Sequence, residues 1–175
     1  GSKNVYKYML DLVNKGQQGY VVVPLVEETD SGLKSVVAHA ESLRSGFLKG
    51  KNIGVVHGRM KSEEREETME AFRSGTIDVL VATTVIEVGV DIANATMIVI
   101  EHADRFGLAQ LHQLRGRVGR GTLPGVCALI ASPTTDDALR RLEAIVETTD
   151  GFLIAERDLE IRGPGELFGA KQSGI

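Results

Sequence analysis

Five short apolar runs, each rich in Val, Ile, Leu or Ala, alternate along this chain with segments of helical periodicity. The runs cover residues 20–26, 53–57, 77–82, 96–100 and 126–131. They lack the strict alternation of apolar and polar residues that marks a strand with one solvent-exposed face. Buried strands separated by helices are typical of a parallel sheet. The sequence therefore predicts an α/β fold with helices on both faces of a parallel sheet.

Helical patterns fill the intervals between the runs. We predict a leading helix over 3–14, a second helix that begins at Asp30 or Ser31, and a third between Ser62 and Gly75. A fourth is predicted from about 107 to 114, and a fifth carries apolar positions 138, 139, 142, 145 and 146 on one face.

Composition limits the class of protein. Hydrophobic residues make up 42% of the 175 residues, which is enough for a continuous core in one globular domain. Cys127 is the single cysteine, so the chain cannot form an internal disulfide or a cysteine-based metal site, and we expect a reducing cytoplasm and a core position. The net charge of −4 argues against binding nucleic acid over the whole surface, so any such contact must come from local loops.

The two ends of the chain suggest a longer natural protein. Gly1-Ser2 has the look of a cloning remnant, and the sequence stops abruptly at Ile175. No apolar stretch approaches the roughly 20 residues of a membrane helix, so no membrane contact is expected.

Phosphate-binding signatures are missing from a chain whose pattern otherwise suits nucleotide binding. It has no G-x-x-x-x-G-K-[ST] loop, no G-x-G-x-x-G fingerprint, and no acidic pair after a strand to hold Mg²⁺. The combination indicates a domain that completes an active site on a neighbouring domain.

Ligands of parallel sheets bind beyond the carboxyl ends of the strands, so we expect the site in the segments that follow the predicted strands. These segments are 58–60, 83–91 and, after a further loop and helix, 113–121.

The last of these segments interleaves arginines with glycines. Arg115, Arg117 and Arg120 offer forked donors suited to phosphate oxygens, and the glycines allow the backbone to approach a ligand closely. The arginines could stabilise the γ-phosphate in phosphoryl transfer, or they could clamp the phosphates of DNA.

Polar residues also follow two other strands. Thr83 and Thr84 could bond a nucleic-acid phosphate or simply cap a turn, and Asp91 could accept hydrogen bonds from a ribose or lie in a turn. Gly89 marks a close backbone approach. His57, at the end of its strand, could bond a phosphate or cap the strand. The histidines have no partners at a metal-ligand spacing, so no metal is predicted.

Residues 82–91 and 110–121 resemble motifs V and VI of superfamily 2 helicases, and 21–24 and 56–60 resemble motif IV and the motif after it. Residues 150–167 resemble the translocation motif that the RecG type shares with the transcription-repair coupling factor Mfd. Their Gly-Pro-Gly and the short link from Glu143 to Gly151 favour the RecG type. The resemblance implies a second RecA-like motor domain over 3–148, followed by a truncated helical hairpin over 149–175.

The resemblance also implies roles. Arg120 matches the arginine finger and Arg117 its partner. The positions matched to ATP contacts are Gly89, Asp91 and Gln113. The positions matched to DNA contacts are Thr83, Thr84, His57 and Gly58. The positions matched to coupling of the hairpin to DNA movement are Arg141, Arg162 and Gln172.

The implied function is ATP-dependent remodelling of branched double-stranded DNA. ATP with Mg²⁺ would be held mainly by an N-terminal motor domain of the same parent chain, which would also carry a DNA-binding domain. Two readings of other classes stay open: an inert α/β binding module, and, less well supported, a stand-alone dinucleotide enzyme.

Overall fold

The computed structural model describes residues 2–24, 30–83, 92–131, 136–148 and 152–156. Its centre is a six-stranded sheet in which every pair of neighbouring strands is parallel. The strand order is β2-β3-β1-β4-β5-β6. In chain order the strands are Gln18–Val22 (β1), Ile53–Val56 (β2), Val79–Ala82 (β3), Ala95–Ile100 (β4), Val126–Ala131 (β5) and Phe152–Glu156 (β6).

Five α-helices of the described residues cover the sheet. They are Ser2–Asn14 (α1), Asp30–Ser45 (α2), Ser62–Arg73 (α3), Leu108–Arg115 (α4) and Asp136–Thr148 (α5), and a short 3-10 helix, Ala103–Arg105, follows β4. The predicted α/β class with helices on both faces is confirmed.

Alternate residues of strands β1 to β5 pack into two separate cores. On one face, side chains of α1 and α2 pack with Val21, Val81 and Val99. On the other face, side chains of α3, α4 and α5 pack with neighbours such as Leu80 and Ile98. Because successive side chains of a strand point to opposite faces, a strand buried on both faces must be apolar throughout. This explains the continuous apolar runs of the sequence.

Strand β6 was not predicted. It lies at the start of the segment that we expected to form a helical hairpin, and it pairs with β5 from Cys127↔Phe152 to Ala131↔Glu156. A short apolar run such as Phe-Leu-Ile-Ala has no periodicity that separates a buried strand from a helix. Here the segment forms a strand because it pairs with the outer side of β5. Residues 157–175 lie outside the described residues, so the hairpin itself stays a prediction.

Cys127 lies in β5 and is fully buried, as predicted. Burial raises the pKa of its thiol, and the positive charge of Arg115 lowers that pKa by a smaller amount. The thiol is therefore protonated and behaves as a packing group.

Within the part of the chain that the structure describes, no helix is long and apolar enough to span a membrane.

Phe72 is the aromatic centre of the core between α3 and the sheet. It is fully buried, and its ring meets the edge of Tyr20 at a centroid distance of 5.1 Å. Its carbonyl also accepts a hydrogen bond from Gln18 Nε2 at 2.6 Å.

Replacing Phe72 with Ala should lower the free energy of unfolding of this chain by about 3–5 kcal/mol, because the change leaves a cavity in a closed core. Phe47 is the matched control, since 43% of it is exposed. Phe47→Ala should cost about 1 kcal/mol. Urea denaturation followed by circular dichroism measures both, and equal losses would contradict the assignment of Phe72 to the core.

Candidate functional site

Because all strands are parallel, their carboxyl ends lie together on one side of the sheet, called here the carboxyl edge, and their amino ends lie on the opposite side, the amino edge. Residues that directly follow β2, β3 and β4 lie at the carboxyl edge, and residues that directly precede β4 and β5 lie at the amino edge. The predicted site residues divide between these edges.

The loop 57–60 lies at the carboxyl edge, between β2 and α3, and is ordered by its own polar atoms. The N–H of His57 donates to Met60 Sδ at 3.3 Å, and the N–H of Arg59 donates to His57 Nδ1 at 3.2 Å. The N–H of Met60 donates to the carbonyl of His57 at 3.3 Å. The imidazole of His57 is thus engaged within its own loop, whereas Gly58 is exposed.

Arg65, in the first turn of α3, holds the same loop from behind. Its Nη2 donates to the carbonyls of His57 at 3.4 Å and Gly58 at 3.3 Å. The side chain is half-buried. Sequence reasoning missed this residue, although an arginine among the many glutamates of α3 is a signal that could have drawn attention to it.

Thr83 directly follows β3, the strand beside β2. It is 2% exposed, so its hydroxyl is covered in this structure. Its proposed contact with DNA stays a prediction, and the exposed Gly58 is the better-placed group at this edge. Thr84, Gly89 and Asp91 lie outside the described residues.

The arginine loop, defined as residues 115–121, follows the last turn of α4. Leu111 and Leu114 bury one side of α4, and Val118 anchors the loop with 3% exposure. Arg117, just before that anchor, is half-buried, whereas Arg120, two residues after it, is exposed. Arg120 Nε donates to the carbonyl of Gly116 at 2.7 Å, which folds its side chain back along the loop. Gln113 is exposed on the last turn of α4.

Glycines are required where this loop crosses the sheet. Gly119 has φ +77°, and a Cβ built on it would lie 2.9 Å from the nitrogen of Gly125. A Cβ on Gly121 would lie 3.1 Å from the Cβ and the carbonyl oxygen of Ala93. Only residues without a Cβ allow so close an approach of two backbones.

These contacts place the arginine loop at the amino edge. Gly125 directly precedes β5, and Ala93 lies two residues before β4. The expectation that all site segments lie beyond the carboxyl ends is therefore wrong for this loop. The reason is that α4 starts near the carboxyl end of β4 and must return the chain to the start of β5, since the two strands are parallel.

Comparison with known proteins shows the family of this chain. The family model described as "Helicase conserved C-terminal domain" matches residues 3–122, and the model "ATP-dependent DNA helicase RecG, domain 3, C-terminal" matches residues 148–175. The chain belongs to the helicase C-terminal domain family and is of the RecG type.

Two relatives of this RecG-type domain are named ATP-dependent DNA helicase RecG. The one from Streptococcus pneumoniae is 49% identical over 164 residues, which is 93% of this chain and 24% of the relative. The one from Staphylococcus aureus strain Mu50 is 48% identical over 173 residues, 98% of this chain and 25% of the relative. The chain thus spans about a quarter of the curated relatives it matches.

Solved structures give the same result. "Structure of RecG bound to three-way DNA junction" is 42% identical with a TM-score of 0.68, covering 84% of this chain and 19% of that one. The C-terminal domain of S. cerevisiae Dbp5, bound to Gle1 and IP6, is 18% identical with a TM-score of 0.59, covering 88% of this chain and 83% of that one. At that identity the second likeness shows the fold alone.

Of the three positions predicted to couple the hairpin to DNA movement, only Arg141 lies among the described residues. Arg141 Nη2, on α5, donates to the carbonyl of Asp104 at 3.2 Å and so fastens α5 to the 3-10 helix that leads into α4. Arg162 and Gln172 lie outside the described residues.

A buried polar cluster at the end of β4 escaped the sequence interpretation. Glu101 is 1% exposed and accepts a hydrogen bond of 2.5 Å from the hydroxyl of Tyr6. His39 Nε2 lies 3.1 Å from that hydroxyl and 3.4 Å from Glu101 Oε2. The cluster joins α1 and α2 to β4 and accounts for His39 as a structural residue.

His102, the next residue, has φ 50° and ψ 47°, and it is the residue with positive φ among the described non-glycine residues. Histidine tolerates this conformation better than branched residues do, and the turn starts the 3-10 helix.

Within the described residues, no group of three or more His, Cys, Asp or Glu side chains is arranged to hold a metal ion.

Gly119→Ala should lower the free energy of unfolding by more than the cost of placing alanine at a positive φ. Gly75 is a matched control, because its φ is +86° and a Cβ there meets nothing within 4 Å. We expect Gly75→Ala to cost about 1–2 kcal/mol, the penalty of the left-handed conformation. Gly119→Ala should cost roughly 1–3 kcal/mol more, because the new Cβ forces two backbone segments apart. Urea denaturation decides, and equal costs would show that the approach to Gly125 imposes no constraint.

Proposed function

We propose that this chain is the second motor domain of an ATP-dependent DNA helicase that remodels branched DNA such as stalled forks and recombination junctions. The observation that carries the proposal is the arginine loop, which glycine contacts pin at the amino edge with Arg120 exposed. The relatives' printed names, and the three-way junction in a related structure, support the same reading.

The proposed role of the arginines follows from the chemistry of phosphoryl transfer. Negative charge spreads over the γ-phosphate oxygens in the transition state, and a guanidinium stabilises that charge when it reaches in from a second domain. Arg120 is exposed on the loop, and its side chain can extend toward a facing domain once it releases the carbonyl of Gly116. Arg117 is half-buried beside the Val118 anchor and holds a more fixed position. Gln113, on the preceding turn, would line the same cleft, and Gly89 and Asp91 are proposed to complete it.

The nucleotide would be held chiefly by the first motor domain of the same parent chain, which would supply the phosphate loop and the Mg²⁺ ligands. Mg²⁺ neutralises charge on the β- and γ-phosphates when it is bound. This chain then contributes charge and closure, and by itself it should be inactive. A separate DNA-binding domain of the parent would select the branched substrate, and we place the whole protein in the cytoplasm.

The carboxyl edge is the proposed DNA grip. Gly58 is exposed there, with His57 and Thr83 beside it and Thr84 following. A backbone N–H bonds a phosphate without reading sequence, which suits a translocase that must move along any DNA. Closing and opening of the nucleotide cleft would move this edge relative to the first motor domain. Arg141, with Arg162 and Gln172, is proposed to pass that motion to the tail hairpin.

Arg120→Ala in the full-length protein should lower fork-stimulated ATP hydrolysis about 10³-fold or more while fork binding survives. The reason is that the lost guanidinium stabilises the transition state of hydrolysis and does not contact DNA. Arg140→Ala is the matched control. It removes the same charge from α5, where the Arg140 side chain is 75% exposed and 3.9 Å from Asp137. The control should leave hydrolysis unchanged.

Hydrolysis by coupled assay and fork affinity by fluorescence anisotropy are recorded side by side. If hydrolysis persists in Arg120→Ala and fork affinity falls instead, the arginine loop is a clamp on DNA phosphates. That result would favour the inert binding module and overturn the proposed nucleotide role.

A further inference from the structure

The loop 57–60 turns a single backbone N–H outward. The N–H groups of His57, Arg59 and Met60 all have partners inside the loop, at 3.2 to 3.3 Å. Among the described residues, the N–H of Gly58 has no such partner, and Gly58 is exposed. A donor left open in this way is available to a ligand oxygen.

Arg65 fixes the direction of that N–H. A trans peptide places the N–H of one residue opposite the carbonyl of the residue before it, and no cis peptide occurs in the described chain. Arg65 Nη2 holds the carbonyl of His57 on the side of α3 at 3.4 Å, together with the N–H of Met60, which donates to the same oxygen at 3.3 Å. The N–H of Gly58 must then point away from α3. The second bond, to the carbonyl of Gly58 at 3.3 Å, prevents the following peptide from turning over.

The bonding of Arg65 fits this purpose better than a purely structural one. Its neighbour on the same helix, Arg73, is tied by Glu66 and Glu70. Arg65 Nη2 instead donates to two backbone carbonyls, and the buried Nε of Arg65 has no hydrogen-bond partner among the described residues. A planar guanidinium can serve two neighbouring carbonyls from one fixed side, which a lysine ammonium does less well.

We infer that Arg65 is a positioning residue for DNA, which holds the loop 57–60 so that the N–H of Gly58 meets a backbone phosphate. The inference rests on the proposed function, in which this edge grips DNA. It differs from a direct contact, since Arg65 acts through the peptide between His57 and Gly58.

Two substitutions in the full-length protein separate geometry from charge. Arg65→Met keeps the apolar stem and removes the donors, and we expect its dissociation constant for forked DNA to rise roughly five-fold, the loss of about one hydrogen bond. Arg65→Lys keeps the charge and should show a smaller rise. Arg73→Met, on the same helix, is the control and should leave the affinity unchanged.

The salt dependence shows how Arg65 acts. The slope of log affinity against log salt counts the cations that replace counterions on DNA. A positioning residue leaves the slope unchanged in Arg65→Met, whereas a direct phosphate contact lowers it by about 1 and would overturn the inference. A lower melting temperature with unchanged affinity would also overturn it, because Arg65 would then serve only the fold.

A double substitution tests whether Arg65 acts through Gly58. Gly58→Pro removes the N–H, so adding Arg65→Met to it should weaken binding no further. If Gly58→Pro alone leaves fork affinity intact, the proposed DNA grip at this loop is wrong. If Gly58→Pro weakens binding and Arg65→Met does not, the grip stands and the positioning role is wrong.

Discussion

Parallel pairing of every strand is the constraint on which the rest of this structure depends. A parallel neighbour cannot be reached by a tight turn, so each connection must carry the chain from the carboxyl edge back to the amino edge. Among the described residues, helices make the returns from β1 to β2, β2 to β3, β4 to β5 and β5 to β6, and they bury both faces of the sheet. The chain therefore visits each edge in turn, and a single short sequence supplies polar groups to both edges.

The two proposed activities occupy opposite edges for this reason. The loop 57–60 lies at the carboxyl edge, and the arginine loop lies at the amino edge. Strand β4 has six residues, so the edges are separated by about 20 Å. Between them lies a close-packed sheet with no exposed strand residue in β1, β3 or β4. A domain this rigid would transmit motion at the nucleotide cleft to the DNA grip as a whole body.

The fold class could be predicted from the sequence because strands buried on both faces are continuously apolar, and such runs are visible in the sequence. The runs at 53–57 and 126–131 are observed as strands with bounds within one residue of prediction. The motifs likewise identified the RecG type, which the family models bear out. What failed was the placement of the arginine loop, because the carboxyl-edge rule ignores the return made by α4.

Other features depend on tertiary contacts that no sequence pattern announces. Strand β6 forms because its backbone pairs with the outer side of β5, and a four-residue apolar run does not reveal that pairing. The pairing of Tyr6 with Glu101 joins residues 95 positions apart. Arg65 has an ordinary place in an acidic helix, and only the carbonyls that it meets distinguish it from Arg73.

We propose that this domain completes a nucleotide site whose phosphate contacts lie in another domain. Isothermal titration calorimetry with ATP and Mg²⁺ tests it most directly, using this chain beside a longer chain that adds the preceding motor domain. We expect micromolar binding to the longer chain and no saturable binding in that range to this chain alone. A micromolar dissociation constant for this chain by itself would show that the proposed division of the site is wrong, because a domain without a phosphate loop would then hold the nucleotide unaided.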